Sequence, residues 1–124
     1  MMGPDAFFPG RVPISAYGKK GFQFADMQHD GALIILNDGI HRWRPQQLDD
    51  CELNDFAEIL NNAKPGDIVL MGTGAKLAQP NIEIRKAFMA AHLGLDVMDT
   101  GAAVRTWNVL IAEDRSAFCA LLPL

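Results

Sequence analysis

One arrangement constrains this chain more than any other. Twice in its second half, a short apolar run ends in a glycine loop and a helical pattern follows. Residues 68–74 read "IVLMGTG" and residues 97–101 read "VMDTG". Four apolar residues without alternation, "IVLM", suit a strand covered on both faces, and "LDVM" (95–98) is the next strand. Between the two, Ile84, Phe88 and Ala91 form one apolar stripe behind Pro80 and Asn81, which suit a helix start. Gly94 is expected to end that helix as a left-handed cap. Strand, helix and strand in one sheet make a right-handed parallel crossover. The C-terminal ends of both strands then share one sheet edge. The loops "GTGAK" (72–76) and "DTG" (99–101) open there together, where open α/β sheets usually hold ligands.

The flanking segments extend this unit. "TGAAVRTWNVLIAEDR" (100–115) reads as another helix, with Ala103, Val104, Trp107, Leu110 and Ile111 on one face. "SAFCALL" (116–122) reads as a last strand, completing βαβαβ. Upstream, "PISAYG" (13–18) and "GFQF" (21–24) suit strands joined by the turn "GKKG". "GALIILNDGIHRWR" (31–44) is a β-hairpin about its "NDG" turn. Phe56, Ile59, Leu60 and Ala63 mark a helix over 53–64 that "PGD" (65–67) stops. The expected result is a mixed sheet with helices packed against it. With 124 residues, one domain over 14–124 is expected. Pro4, Pro9 and Pro13 break up residues 1–13 into an irregular arm without a signal or transit pattern.

The candidate site residues cluster at the shared edge: Gly72, Thr73, Gly74, Lys76, Asp99, Thr100, Arg105 and Asn108. "GTGAKL" invites a phosphate-loop reading, but Lys76 comes too early for a Walker loop and Leu77 follows it. Leu77 also stands where the dinucleotide pattern needs its third glycine. Asp99 or Thr100 is expected to cap the helix by accepting from first-turn amides. Asn108 borders the core stripe and has poor helix propensity, so a hydrogen-bonding partner beside it is expected. Glycines that allow a tight turn and a solvated lysine are the plain alternatives for the first loop.

Catalytic and metal constellations are not in view. His29, His41 and His92 lack metal-ligand spacing, and no serine stands in a nucleophile elbow. An enzyme would need Asp99 as base with Arg105 as anion clamp. No cofactor is expected. The formal net charge of −4 argues against nucleic acid as the main partner. The one dense basic segment is "HRWR" (41–44); Arg42, Trp43 and Arg44 are the candidate interface residues, with core packing as the alternative for Trp43. Cys51 and Cys119 show no paired spacing, so a reducing cytoplasm suits the chain. Self-association through an exposed Trp43 or Trp107 is a further alternative.

The stretches "ISAYGKKGF", "GALII", "VLMGTGAK", "VMDTGAAVRTWNVLIAEDR" and "AFCALLP" together resemble a family of small domains once classed as of unknown function. It includes the mitochondrial complex I (NADH:ubiquinone oxidoreductase) assembly factor 3 and bacterial and archaeal stand-alone homologues. The resemblance covers about residues 14–123 and carries over Gly72, Gly74, Asp99, Thr100, Asn108, Glu113 and Arg115. It implies an α/β fold of three layers around a mixed, mostly parallel sheet, with an N-terminal β-hairpin region followed by βαβαβ. It also implies a non-catalytic binding or assembly role, with subunits or assembly factors of the respiratory NADH dehydrogenase as partners. The alternative is a small-molecule or anion-binding protein, or an enzyme, using the two loops. The mitochondrial members carry a targeting extension that is not seen here, so a cytoplasmic bacterial-type protein is implied.

Overall fold

The computed structural model describes residues 7–124; the first six residues of the expected arm lie outside it. The described part of that arm contributes a two-residue strand, β1 (Phe7–Phe8), and is otherwise without regular structure up to Ser15. β2 (Ala16–Tyr17), β3 (Gly21–Phe24) and β4 (Met27–Asp30) form a small antiparallel sheet. The turn 18–21 joins β2 to β3 as the "GKKG" signal requires, with Tyr17 opposite Phe22. β4 had no signal in the sequence. "MQHD" is polar, and only His29 along it is buried.

β5 (Leu33–Leu36) and β6 (Gly39–Arg42) are the expected hairpin, paired Leu36 to Gly39 across its turn. The segment 53–64 is helical in two pieces. Leu53–Phe56 is a 3-10 turn closed by a capping box between Glu52 and Asp55, and α1 (Ala57–Asn62) follows. Then come β7 (Ile68–Gly72), α2 (Ile82–Ala90), β8 (Asp96–Met98), α3 (Thr100–Ala112) and β9 (Ala117–Leu121).

The main sheet runs β1-β6-β5-β9-β7-β8. β7 is parallel to both β8 and β9, as the βαβαβ reading demands. The other pairings, β1 with β6, β6 with β5 and β5 with β9, are antiparallel. The sheet is therefore mixed, but parallel pairing is confined to one half. The reason is β9, which serves both halves: it runs with β7 and against the hairpin.

Both faces of this sheet are covered, which gives three layers. On one face, Phe56 and Ile59 of the α1 region, with Ile84 and Phe88 of α2, pack on Val69, Met71, Phe118 and Ala120. On the other, Ala103, Val104, Trp107 and Leu110 of α3, with Phe22 and Phe24 of the small sheet, pack on Leu70, Cys119 and Leu121. The expected α3 face is buried except for Ile111, which is half-buried.

α2 ends differently from expectation. Gly94 does not adopt a left-handed conformation; His92 does, with φ 57°. The Leu93 amide reaches back to the Phe88 carbonyl (2.9 Å) and the His92 amide to that of Met89 (3.0 Å). This is a Schellman closure with Leu93 packed beside Phe88 in the core. Burial of Leu93 fixes the stop there, two residues before glycine.

Candidate functional site

The C-terminal ends of β7, β8 and β9 converge on one edge, since the three strands are parallel. The sequence reading placed two loops there. The third strand adds residues 122–124, which no motif announced.

Thr100 is the centre of this junction. It is fully buried; its hydroxyl donates to the Leu122 carbonyl (2.6 Å) and accepts from the Gly74 amide (2.8 Å). Its own amide donates to the Gly74 carbonyl (2.9 Å). Thr73 is likewise buried, and its hydroxyl donates to the carbonyls of Lys76 (2.6 Å) and Met98 (3.2 Å). Gly72 is required by the close approach: a Cβ there would sit 2.9 Å from the Leu121 side chain and 3.0 Å from the Thr100 Cα. Gly74 adopts φ 98°, a left-handed conformation that favours glycine. Asp99 caps α3, its Oδ1 accepting from the Ala102 amide at 2.9 Å.

These contacts decide what the loops can offer. The amides of Thr73, Gly74, Thr100 and Ala102 each donate to an acceptor within the protein. An anion cradled by those donors would have to displace the chain's own oxygens. Lys76 is exposed at the end of the first loop.

Asn108 is a strap. Its side-chain oxygen accepts from the Ile14 amide (2.8 Å) and its nitrogen donates to the Ile14 carbonyl (2.9 Å). One turn face further, the Trp107 indole donates to the Val12 carbonyl (2.9 Å), and the Arg11 guanidinium lies 5.5 Å from the Trp107 ring centroid. Residues 11–14 are thereby bound along α3.

Arg105 is exposed and flanks Gly101 together with Tyr17. A Cβ on Gly101 would sit 2.7 Å from the Tyr17 hydroxyl and 3.4 Å from the Arg105 guanidinium. Beside Tyr17, a cleft of about 380 Å³ is lined by Lys19, Lys20, Gln23 and Gln28. In the sequence this stretch reads only as a turn, and its paired lysines are the available signal.

Of the expected interface residues, burial removes the Trp43 ring and leaves Arg42 and Arg44 exposed, so Trp43 takes its core-packing alternative. Trp43 is 4% exposed; its indole donates to the Asp55 carbonyl (2.9 Å) and its ring meets Phe56 edge-on, at 5.3 Å between centroids. Trp107 is fully buried. Neither ring can serve a self-interface. Arg44 forms a two-pronged pair with Asp55, Nε to Oδ1 at 2.8 Å and Nη2 to Oδ2 at 2.6 Å. Partial burial pushes the Asp55 carboxyl up, but the Arg44 hydrogen bonds and charge and the Glu52 amide together hold it below the usual range. Arg42 is exposed, with a 3.5 Å contact to the Asp30 carbonyl.

Burial also pushes the Cys51 thiol up to about 12 and raises Cys119 further, so both are protonated. Among the described residues, no group of three His, Cys, Asp or Glu side chains is placed to hold a metal ion.

Residues 14–122 match the family described as "Protein of unknown function (DUF498/DUF598)". The chain belongs to this family. It is 31% identical to an uncharacterised protein of Rhodobacter capsulatus over 94% of this chain and 89% of that one. It is 27% identical to the mouse NADH dehydrogenase [ubiquinone] 1 alpha subcomplex assembly factor 3 over 94% of this chain, which spans 63% of the mouse protein. Among solved structures, a protein of Bartonella henselae described as an outer membrane protein superposes with a TM-score of 0.83. The two are 40% identical, and the match covers 94% of this chain and 98% of that one. Proteins similar to this chain therefore carry quite different descriptions. In this chain, no helix among the described residues is long and apolar enough to cross a membrane.

Proposed function

We propose that this chain is a non-catalytic, protein-binding domain of the cytoplasm that assists assembly of the respiratory NADH dehydrogenase. The observation that carries the reading is the similarity to assembly factor 3, which extends over 94% of the chain. The geometry supports it. Three of the residues that mark the resemblance spend polar side-chain atoms on the protein's own backbone: Thr100 on Gly74 and Leu122, Asp99 on Ala102, Asn108 on Ile14. A framework of this kind fixes a surface, and a fixed surface is what a binding partner needs. The test is a deletion strain of the native host. NADH dehydrogenase content and activity should fall, with subunits left in partial assemblies. Normal content and activity in that strain would remove the reading.

A second reading draws on one observation: the Tyr17 hydroxyl and the Arg105 guanidinium flank Gly101, next to the cleft bearing Lys19 and Lys20. An anionic small molecule would suit that cleft. Thermal unfolding with inorganic phosphate tests it, since a ligand that binds only the folded state raises Tm. A saturable rise that Arg105→Ala removes would favour this reading over the first.

A further inference from the structure

β8 is the outer strand of the main sheet on the side remote from the hairpin. Its Met98 carbonyl accepts from the Thr73 amide, on the β7 side. Peptide groups alternate sides along a strand, so the N–H and C=O of Val97 face outward from the sheet edge. Next to this edge lies a groove of about 260 Å³. Phe88, Met89, Leu93, Leu95 and Val97 line it, and Arg85 is its charged residue. Leu95 and Val97 pack toward the α2 face and Met98 toward the α3 face, so alternation directs Asp96 away from the groove.

The helix beside the groove is apolar where water should be. Met89 is 74% exposed and Ile82 is 51% exposed. They stand at i and i+7 of α2, on one face, with Arg85 and Lys86 between them. Both cations are exposed, and neither has an ion-pair partner among the described residues. This arrangement discriminates between occupants. A second copy pairing through Val97 about a two-fold axis would lay α2 antiparallel to its counterpart. That pairing would bring the exposed Arg85 and Lys86 of both copies into one interface, like charges together as they lose water. A carboxylate-bearing partner meets the same cations favourably.

We propose that this groove binds an extended, acidic–apolar segment of another protein. The segment adds a strand to β8 through Val97, seats alternate apolar side chains against Phe88 and Leu93, and pairs a carboxylate with Arg85. The proposal rests on the protein-binding reading, but not on NADH dehydrogenase being the partner.

The experiment selects a displayed library of random peptides, about twelve residues long, on the folded, purified chain. Enriched sequences should alternate apolar residues with Asp or Glu. They should lose ~10-fold or more in affinity for the Arg85→Glu, Lys86→Glu double variant, and they should shift the amide resonances of Val97 and Met89. Met89→Asp should abolish their binding. All three side chains are exposed, so an unchanged Tm confirms that the variants fold. Failure to enrich, enrichment of basic or uncharged sequences, indifference to charge reversal, or shifts confined to another face would each overturn the proposal. So would a dimer in light scattering that Met89→Asp disperses, because the occupant would then be a second copy. Since only purified chain and peptide are used, a deletion strain with normal NADH dehydrogenase would leave this result standing, and a failed selection would leave that phenotype unexplained.

Discussion

Thr100 shows how much one hydroxyl can hold. Thr100→Val keeps the shape but strands the Gly74 amide and the Leu122 carbonyl in a buried site, at a cost of about 1–3 kcal/mol. Thr100→Ser keeps both bonds and should lose ~1 kcal/mol for the missing methyl. Urea unfolding of the pair separates the hydrogen bonds from the packing. At the neighbouring cap, Asp99→Asn retains an acceptor and should be close to neutral, whereas Asp99→Ala should cost about 1 kcal/mol. Because the Thr73, Gly74, Thr100 and Ala102 amides are already occupied, ATP and NAD at millimolar concentration should leave Tm unchanged. A saturable rise with either would show that the loops rearrange to bind phosphate. Acid sensitivity also resides in single side chains. Burial lowers the pKa of His29, whose Nε2 donates to the Ala32 carbonyl at 2.9 Å. Below about pH 6.5 the unfolded chain therefore takes up a proton that the folded chain does not, and stability falls. Asp55 acts later and in the same direction: its lowered pKa contributes stability above the unfolded value near ~3.9, lost as pH falls through the folded value. His29→Gln should flatten the urea midpoint between about pH 5 and 7 and leave the acid limb in place.

At the scale of elements, periodicity was a good guide to which segments form strands and helices, and a poor one to where they stop. Ile84 and Phe88 of α2, and Ala103, Val104 and Trp107 of α3, lie on the faces their spacing assigns. The ends were harder to read because tertiary burial, not local preference, sets them. Leu93 is drawn into the core and leaves His92 to turn left-handed; at the end of α3, Asp114 does the same with φ 55°, as the Arg115 amide returns to the Leu110 carbonyl. Two substitutions test this account. His92→Gly removes a left-handed non-glycine residue and should raise stability by up to ~1 kcal/mol in thermal or urea unfolding. Gly94→Ala should be tolerated or slightly stabilising, by about 0.4–1 kcal/mol, because its φ is ordinary and a Cβ there meets nothing within 4 Å. Marked destabilisation by Gly94→Ala would restore glycine as the cap. β4 was illegible for the opposite reason: its residues are mostly exposed, and pairing with β3 is what makes them a strand.

At the scale of the molecule, the βαβαβ connectivity was readable, and so was the edge it creates. The functional candidates were only partly readable. Asp99, Thr100 and Gly72 do meet, and Trp43 takes the core-packing alternative, but "HRWR" does not name its acceptor at Asp55, because the 3-10 turn that receives it lies about a dozen residues downstream. Strand order was not written in any local pattern, and it has a consequence in time. The last strand in sequence, β9, lies in the middle of the sheet, between β5 and β7, and the hairpin half and the crossover half share no direct pairing. As a ribosome releases this chain from its N-terminus, two half-sheets emerge with their inner edges open, and neither can be closed by anything made before residue 117. Non-local pairing of this kind is slow to form and leaves strand edges exposed while it waits. A chain stalled before that point should be held by chaperones or degraded. Protease resistance in arrested nascent chains should accordingly appear in one step, only after residues 117–121 have cleared the exit tunnel.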